Sequence, residues 1–183
     1  MATNKVDSPV VISVVSVLIR RKNIDWVIRA VKEYTGKQPV QLLIAGDGIC
    51  MDELRRLAGD VPNIQFLGNI NHDEVMNLLE KSHIFALPSV NETFGLVYLE
   101  AAAKYNAVVC HRSEGVDGLF EDGKEMMFCN GYNEFETILY RLIENPKEVN
   151  ILANNGYEKV KNCTWENVRS MYMDIYAVEV IQR

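Results

Sequence analysis

Short apolar runs rich in β-branched residues recur along the chain, and segments with helical spacing separate them. Runs of this length suit the strands of a sheet that is covered on both faces. The six predicted strands span 10–17, 40–45, 63–67, 83–87, 107–110 and 125–129. Apolar residues at helical spacing predict helices over 23–35, 50–58 and 73–81. A fourth helix is predicted to begin near Thr93 or Phe94, and because it is apolar almost all round we expect it to be buried.

The sequence after the sixth run is helical in pattern. Two helices are predicted over 132–144 and 147–161, separated by Asn145-Pro146. Thr164 is typical of the N-cap of one more helix, which extends toward Val180.

The alternation of strands and helices predicts an α/β fold with one doubly wound, Rossmann-like parallel sheet of about six strands and extra C-terminal helices. We interpret 10–183 as a single domain and 1–9 as a flexible lead-in. In such sheets, ligands bind beyond the carboxyl ends of the strands.

Composition narrows the class of protein. The chain of 183 residues has 19 Lys and Arg against 25 Asp and Glu, a net charge of −6, which argues against a broad nucleic-acid surface. Four widely spaced cysteines fit neither a zinc knuckle nor a disulfide scaffold. The sequence contains no apolar run of the roughly 18 residues that a membrane span needs and no secretory signal pattern. We therefore expect a cytoplasmic location.

Two common phosphate-binding motifs are missing. The turn after the first strand has no Gly-x-Gly-x-x-Gly, and neither Gly36-Lys37 nor Gly123-Lys124 is followed by Ser or Thr, as a Walker A loop requires. A dinucleotide oxidoreductase and a P-loop ATPase or GTPase are therefore disfavoured.

The segment 88–104 is the most informative one. If a helix begins near Phe94, the amide groups of Phe94, Gly95 and Leu96 face the ligand edge of the sheet and can bind an anion. Gly95 either lets the anion approach the backbone or packs against the strand.

Two carboxylates bracket this anion site. Glu92 precedes the predicted helix, and Glu100 lies two turns inside it, where it needs a partner: ligand hydroxyls, an internal salt bridge or solvent. The arrangement suits a ligand with a central diphosphate, a sugar on one side and a ribose on the other. Lys22, at the same sheet edge, is either a cation for the diphosphate or a solvated surface lysine.

Glu92 and Glu100 with seven residues between them, within NETFGLVYLEAAA, resemble the Glu-x7-Glu signature of retaining glycosyltransferases of the GT-B class, family 4 (group 1). The resemblance covers nearly the whole chain. It is carried further by RRKNIDWVIRAV, QLLIAGDG, NIQFLGNINHDEV, FEDGKEMMF and TWENV, in that order. The match is to the carboxyl-terminal, donor-binding half of such an enzyme, with the amino-terminal acceptor domain absent.

The resemblance implies roles for single residues. Glu92 would face the donor sugar and Lys22 would stabilise the departing diphosphate, as the two catalytic groups. Glu100 would bind the ribose hydroxyls. The remaining donor-binding residues that we infer are Phe94, Gly95, Leu96, Leu67, Gly68, Asn69, Arg20 and Arg21. No metal and no cofactor are implied, and the donor would be a UDP- or GDP-sugar.

Two departures from the family pattern stand out. The family's Gly-Arg pair falls on Ser16-Val17, so the arginine that grips the diphosphate is missing, and Arg20 or Arg21 is the candidate replacement. The segment from Glu114 to Gly118 replaces the commoner Gly-Gly-Ile-Pro-Glu, so no role follows from that glutamate.

We predict that the chain is the donor domain of a glycosyltransferase, with little or no turnover by itself. The alternatives are a non-catalytic nucleotide-sugar-binding module or, less favoured, part of a nucleotide-sugar epimerase. Peripheral association of the full enzyme with a membrane stays open.

Overall fold

The computed structural model of the protein describes residues 9–163. Strands and helices alternate through this part of the chain. The strands are β1 (Val10–Val15), β2 (Val40–Ala45), β3 (Ile64–Gly68), β4 (Ile84–Leu87), β5 (Ala107–His111) and β6 (Met127–Cys129). The helices are α1 (Ile24–Glu33), α2 (Met51–Ala58), α3 (His72–Lys81), α4 (Leu96–Ala103), α5 (Tyr132–Glu144) and α6 (Pro146–Val160). The helix predicted from Thr164 and nearly all of the lead-in 1–9 lie outside the described residues.

The strands form one parallel sheet with the order β3-β2-β1-β4-β5-β6. This order confirms the predicted doubly wound fold. The chain moves outward from β1 through β2 to β3, then returns to β4 beside β1 and moves outward the other way. The loops that follow β1 and β4 therefore diverge at the centre of the sheet and leave a crevice at its carboxyl edge.

Helices cover both faces of the sheet. α1 packs beside α2 and α5, and α4 packs beside α3 and α6. All four residues of β4 are at most 1% exposed. This burial on two sides explains why the strands appear in the sequence as continuous apolar runs rather than as alternating patterns.

The first strand is shorter than predicted. β1 ends at Val15, and Ser16 and Val17 already belong to the loop. The chain stays beside the β2 loop here, since the Leu18 amide donates to Asp47 O at 2.9 Å, but Val17 is 59% exposed. In the sequence, Val17 continues the apolar run of the strand, but its side chain is not buried as the strand residues are.

Two general expectations can be compared with the described residues. None of their helices is both long and apolar enough to cross a bilayer. All four cysteines are free thiols, with Cys163 exposed and the others buried.

Candidate functional site

An ion pair spans the crevice between β1 and β4. Lys22 ends a short 3-10 helix (Arg20–Lys22) in the loop after β1, and Glu92 lies in the loop after β4. The Lys22 ammonium contacts Glu92 Oε2, and each side chain is only 12% exposed. The structure thus brings together the two residues that the sequence analysis singles out for catalysis, although they lie 70 positions apart.

The Glu92 carboxylate is held in its ionised form. Burial acts to raise its pKa, but the Lys22 ammonium, the Ser89 hydroxyl and the charge of Arg21 outweigh burial, so the pKa is lowered. Ser89 Oγ donates to Glu92 Oε2 at 3.2 Å. Both contacts use Oε2, and no described residue donates to Oε1. That oxygen can accept a hydrogen bond from a ligand.

The loop after β4 is tied to the loop after β1. Arg21 donates through its guanidinium to Asn91 O at 3.0 Å, and its carbonyl accepts from the Val90 amide at 2.8 Å. Asn23 Nδ2 donates to Pro88 O at 2.8 Å. These bonds join the two walls of the crevice on either side of the Lys22–Glu92 pair.

The same loop is held from its other side by the connection between β5 and β6. Glu114 Oε2 accepts from the Glu92 amide at 2.8 Å, and the Gly115 amide donates to Glu92 O at 3.1 Å. The amides of Asn91 and Glu92 lower the pKa of the Glu114 carboxyl. Sequence reasoning assigned nothing to Glu114, because only the approach of two loops 22 positions apart gives its carboxylate these donors.

Arg20 has a different partner from Arg21. Its guanidinium lies 3.4 Å from Glu53 Oε2 on α2, and both side chains are largely exposed. The two candidate replacements for the missing arginine are therefore engaged by α2 and by the β4–α4 loop, respectively. Their predicted role in donor binding stays a prediction.

Helix α4 begins later than predicted. It starts at Leu96, because Gly95 adopts a left-handed conformation with φ 75° and forms the N-cap. A side chain at position 95 would collide with the Tyr98 ring, so this turn requires glycine. The amides of Phe94, Gly95 and Leu96 make no hydrogen bond to any other residue in 9–163. They remain the candidate anion-binding donors.

The expectation that α4 is buried on all sides is wrong. It buries Tyr98, Ala101 and Ala102, while Leu96 is 67% exposed, because the helix packs mainly on β5 and α6 from one side. Glu100 is half-buried and forms no ion pair within the described residues. Its carboxylate is available to a ligand.

The residues predicted near the base lie on the far side of β1. Leu67 and Gly68 end β3, and Asn69 follows them. Asn69 lines a cavity of about 410 Å³ together with Ser16, Val17, Gly46 and Asp47. A side chain at Gly46 would collide with Ser16 O, so the β1 and β2 loops meet in close backbone contact. The cavity continues the ligand edge of the sheet away from Glu92.

Groups of three or more His, Cys, Asp or Glu side chains that could hold a metal ion are not found within residues 9–163. The prediction that the site needs no metal stays a prediction.

A doubly wound parallel sheet with its charged pair at the switch point defines a Rossmann-like α/β domain. A family model described as Glycosyl transferases group 1 matches residues 2–159, so the chain belongs to the group 1 glycosyltransferases. This confirms the predicted family.

Single relatives support the same family. The chain is 33% identical over 156 residues to a GDP-mannose-dependent monoacylated alpha-(1-6)-phosphatidylinositol monomannoside mannosyltransferase of Corynebacterium glutamicum. That match covers 76% of this chain and 39% of the relative. The chain spans less than half the length of the curated relatives that it matches.

Solved structures share the fold. Anabaena Alr3699/HepE, crystallised with UDP and glucose, superposes with a TM-score of 0.77 at 20% identity over 94% of this chain and 48% of that one. Sucrose-phosphate synthase of Thermosynechococcus elongatus gives a TM-score of 0.79 at 22% identity, covering 97% of this chain and 47% of the other. These likenesses confirm the predicted Rossmann-like half of a GT-B fold.

Proposed function

We propose that this chain is the donor-binding domain of a retaining glycosyltransferase, which moves a sugar from a nucleotide diphosphate sugar to an acceptor. The observation that carries the proposal is the Lys22–Glu92 pair at the switch point, beside the unbonded amides of Phe94, Gly95 and Leu96. A cation and backbone donors for a diphosphate thus lie next to a carboxylate that can accept from sugar hydroxyls.

The proposed roles follow from the chemistry of each group. When the bond from the sugar to the diphosphate breaks, negative charge grows on the leaving diphosphate. Lys22 and the three amides stabilise that charge, because they are fixed donors that need no reorganisation as the bond breaks. The anomeric carbon then forms its new bond with an acceptor hydroxyl oxygen on the same face, and the hydroxyl proton passes to an oxygen of the leaving diphosphate. No metal is required for this stabilisation.

The other ends of the donor have their own proposed partners. Glu92 accepts from the sugar hydroxyls through Oε1, which no described residue uses. Glu100 accepts from the ribose hydroxyls, and the segment from Leu67 to Asn69 lies near the base. Known relatives support a nucleotide-sugar donor: one uses GDP-mannose, and one was crystallised with UDP.

The acceptor is proposed to bind to the part of the relatives that this chain does not match. We therefore expect little or no turnover by the 183-residue chain alone.

Calorimetric titration of the 183-residue chain with UDP-glucose, GDP-mannose and ADP-glucose tests the proposal. We expect one of them to bind at submillimolar concentration and Glu100→Ala to weaken it at least tenfold. Glu80→Ala, on the exposed surface of α3, is the matched control and should bind as the parent chain does. If none of the three binds at millimolar concentration, the proposal is wrong.

The neutral segment Ser16-Val17 favours a second candidate, a non-catalytic nucleotide-sugar-binding module. The two functions differ in what a partner adds. A non-catalytic module binds the donor but supports no transfer when it is combined with the acceptor part of a relative. An epimerase has no observation of its own among the described residues, and conversion of the donor without an acceptor would be its signature.

A further inference from the structure

Both backbone polar groups of Glu92 are bound by the connection between β5 and β6. Its amide donates to Glu114 Oε2 at 2.8 Å, and its carbonyl accepts from the Gly115 amide at 3.1 Å. The neighbouring Asn91 amide also acts on the Glu114 carboxyl, whose pKa the two amides lower. Two adjacent residues of one loop thus fix the peptide groups on both sides of Glu92.

The backbone conformation of this turn restricts which residues can form the contact. Asn91 is left-handed with φ 54°, as is Gly115 with φ 52°. A Cβ atom at position 115 would lie 2.7 Å from Phe94 O, so only glycine allows the loops to approach this closely. The bonds to Glu92 are therefore part of a close backbone contact that spans positions 91–94.

Fixing both peptide groups of a residue fixes the direction of its Cα–Cβ bond. At Glu92 this direction leads to Lys22 and to the Ser89 hydroxyl, and the side chain is only 12% exposed. Without the Glu114 carboxylate, the Glu92 amide would lose its acceptor and would seek another partner or water. The orientation of the Glu92 carboxylate thus depends on the loop that carries Glu114.

We propose that Glu114 is a positioning residue, whose carboxylate holds the Asn91–Glu92 turn and thereby aims Glu92 at the sugar of a nucleotide-sugar donor. This inference rests on the proposed function, in which Glu92 binds the sugar. Glu114 sits where the family pattern has glycine, so the anchor is a feature of this chain's own sequence.

The proposal separates two parts of donor recognition. Glu114 bonds to the amide of Glu92, whereas the amides of Phe94, Gly95 and Leu96 are left unbonded within the described residues. Loss of Glu114 should therefore weaken recognition of the sugar more than recognition of the nucleoside diphosphate, which keeps these three amides and the Lys22 charge. The quantity that reports this is the ratio of the Kd of the nucleotide to the Kd of the nucleotide sugar.

Calorimetry on the 183-residue chain with UDP and UDP-glucose, and with GDP and GDP-mannose, measures that ratio. For the pair that binds, we expect Glu114→Ala to lower the ratio roughly tenfold, since a charge-assisted contact is lost. The ratio for Glu114→Gln, which keeps one acceptor oxygen, should fall between the ratios for Glu114→Ala and the parent chain. Glu125→Gln removes a comparable carboxylate, which accepts from the Glu121 amide in the same connection, and should change the ratio less than about twofold.

A cycle with Glu92 tests whether Glu114 acts through it. In a Glu92→Ala background, Glu114→Ala should have no further effect on the ratio. An additional loss in that background would overturn the proposal, as would equal weakening of nucleotide and nucleotide sugar by Glu114→Ala.

A second measurement needs no ligand. The pKa of Glu92, followed by carboxyl ¹³C NMR, responds in opposite directions to the two possible effects of Glu114→Ala. Loss of a nearby negative charge alone lowers it, whereas loss of the turn, and with it of the contact to Lys22, raises it toward its ordinary value. We expect a rise. A fall in the pKa of Glu92 contradicts the positioning role of Glu114. This test does not depend on nucleotide binding. If the parent chain binds no nucleotide, that result contradicts only the proposed function.

Discussion

The two loops that flank the crevice are built very differently at their strand ends. The loop after β4 is bonded from both sides, by Arg21 and Lys22 on one and by Glu114 on the other. The start of the loop after β1, at Ser16-Val17, is neutral, and Val17 is 59% exposed beside the cavity of about 410 Å³. The chain therefore surrounds the carboxylate proposed to bind the sugar with charged partners and places no charge at Ser16-Val17.

This difference shows which charged groups are already in place before any ligand binds. Groups that are already oriented bind a ligand without the entropic cost of ordering them. On this argument the proposed sugar end of the site is preorganised, and the proposed diphosphate region has fixed donors in Lys22 and the amides at the start of α4 but none at Ser16-Val17. Substitutions in the two loops should therefore differ both in size and in what they affect.

The largest effect is expected when the ion pair is broken. Lys22→Ala leaves the Glu92 carboxylate, which is 12% exposed, without its cation, and should cost about 3 kcal/mol in the free energy of unfolding. Urea denaturation of the 183-residue chain measures this loss. Lys124→Ala removes the exposed Lys124–Glu121 pair and should cost far less, because solvent screens an exposed pair. Equal losses in the two variants would show that the crevice pair is no more structural than a surface pair.

A glycine substitution tests the close contact between the loops. Gly115→Ala adds a Cβ that would lie 2.7 Å from Phe94 O, so we expect a loss of about 2–3 kcal/mol from strain and collision together. Gly118→Ala is the matched control, because Gly118 also has a positive φ, 86°, but has nothing within 4 Å of a Cβ atom. It should lose only about 1 kcal/mol from backbone strain. Thermal unfolding of both variants measures the difference, and similar losses would contradict a tight loop contact.

Adding a positive charge at Ser16-Val17, the neutral start of the loop after β1, should strengthen binding instead of weakening it. Val17→Arg restores the cation that the family pattern has at this position and should tighten binding of UDP or GDP by on the order of tenfold. Because Val17 is exposed, stability should change by less than about 0.5 kcal/mol. Ile49→Arg places the same charge on the neighbouring β2–α2 loop and is the control for general attraction. Calorimetry separates the two, and equal tightening by both variants would exclude a specific contact at position 17.

The sequence was sufficient to predict the strands, apart from the end of β1, and the sheet edge that carries the candidate site. Strands buried on both faces need continuous apolar runs, so β4 is visible in the sequence as Ile84–Leu87. Parallel strands end at the same edge, and the crossover order brings Lys22 and Glu92 to one crevice. These features follow from periodicity and topology alone.

Other features depend on contacts that periodicity does not encode. The start of α4 at Leu96 follows from the left-handed Gly95 and the Tyr98 ring beside it. The partner of Arg20 is Glu53, on a helix that packs next to α1. The contact of Glu114 with the Glu92 amide needs two loops that approach each other to hydrogen-bonding distance. Each of these is a property of tertiary approach, so a single sequence offers no signal for it.

The smallest expected effect concerns the pH dependence of stability. The pKa of Glu114 is lowered in the folded protein by the amides of Asn91 and Glu92. Because the folded pKa lies below the unfolded one, near 4.3, the carboxylate stabilises the fold above that pH, and the gain is lost as pH falls through the folded pKa. Glu114→Gln should therefore destabilise by a few tenths of a kcal/mol at pH 7 and by progressively less toward pH 3. Urea denaturation at pH 7, 5 and 3.5 measures this trend.

Glu134 provides the comparison that separates stability from function. Its pKa is also lowered, by the backbone amide and the side chain of Asn130, but it lies at the start of α5, away from the crevice. Glu134→Gln should show the same loss of stability at pH 7 and the same decline toward pH 3, and it should leave nucleotide-sugar binding unchanged. If Glu134→Gln also weakened binding of the sugar, the effect of Glu114→Gln on donor binding would be explained by a loss of overall stability. A selective effect at Glu114 would instead tie donor binding to the loop that holds Glu92.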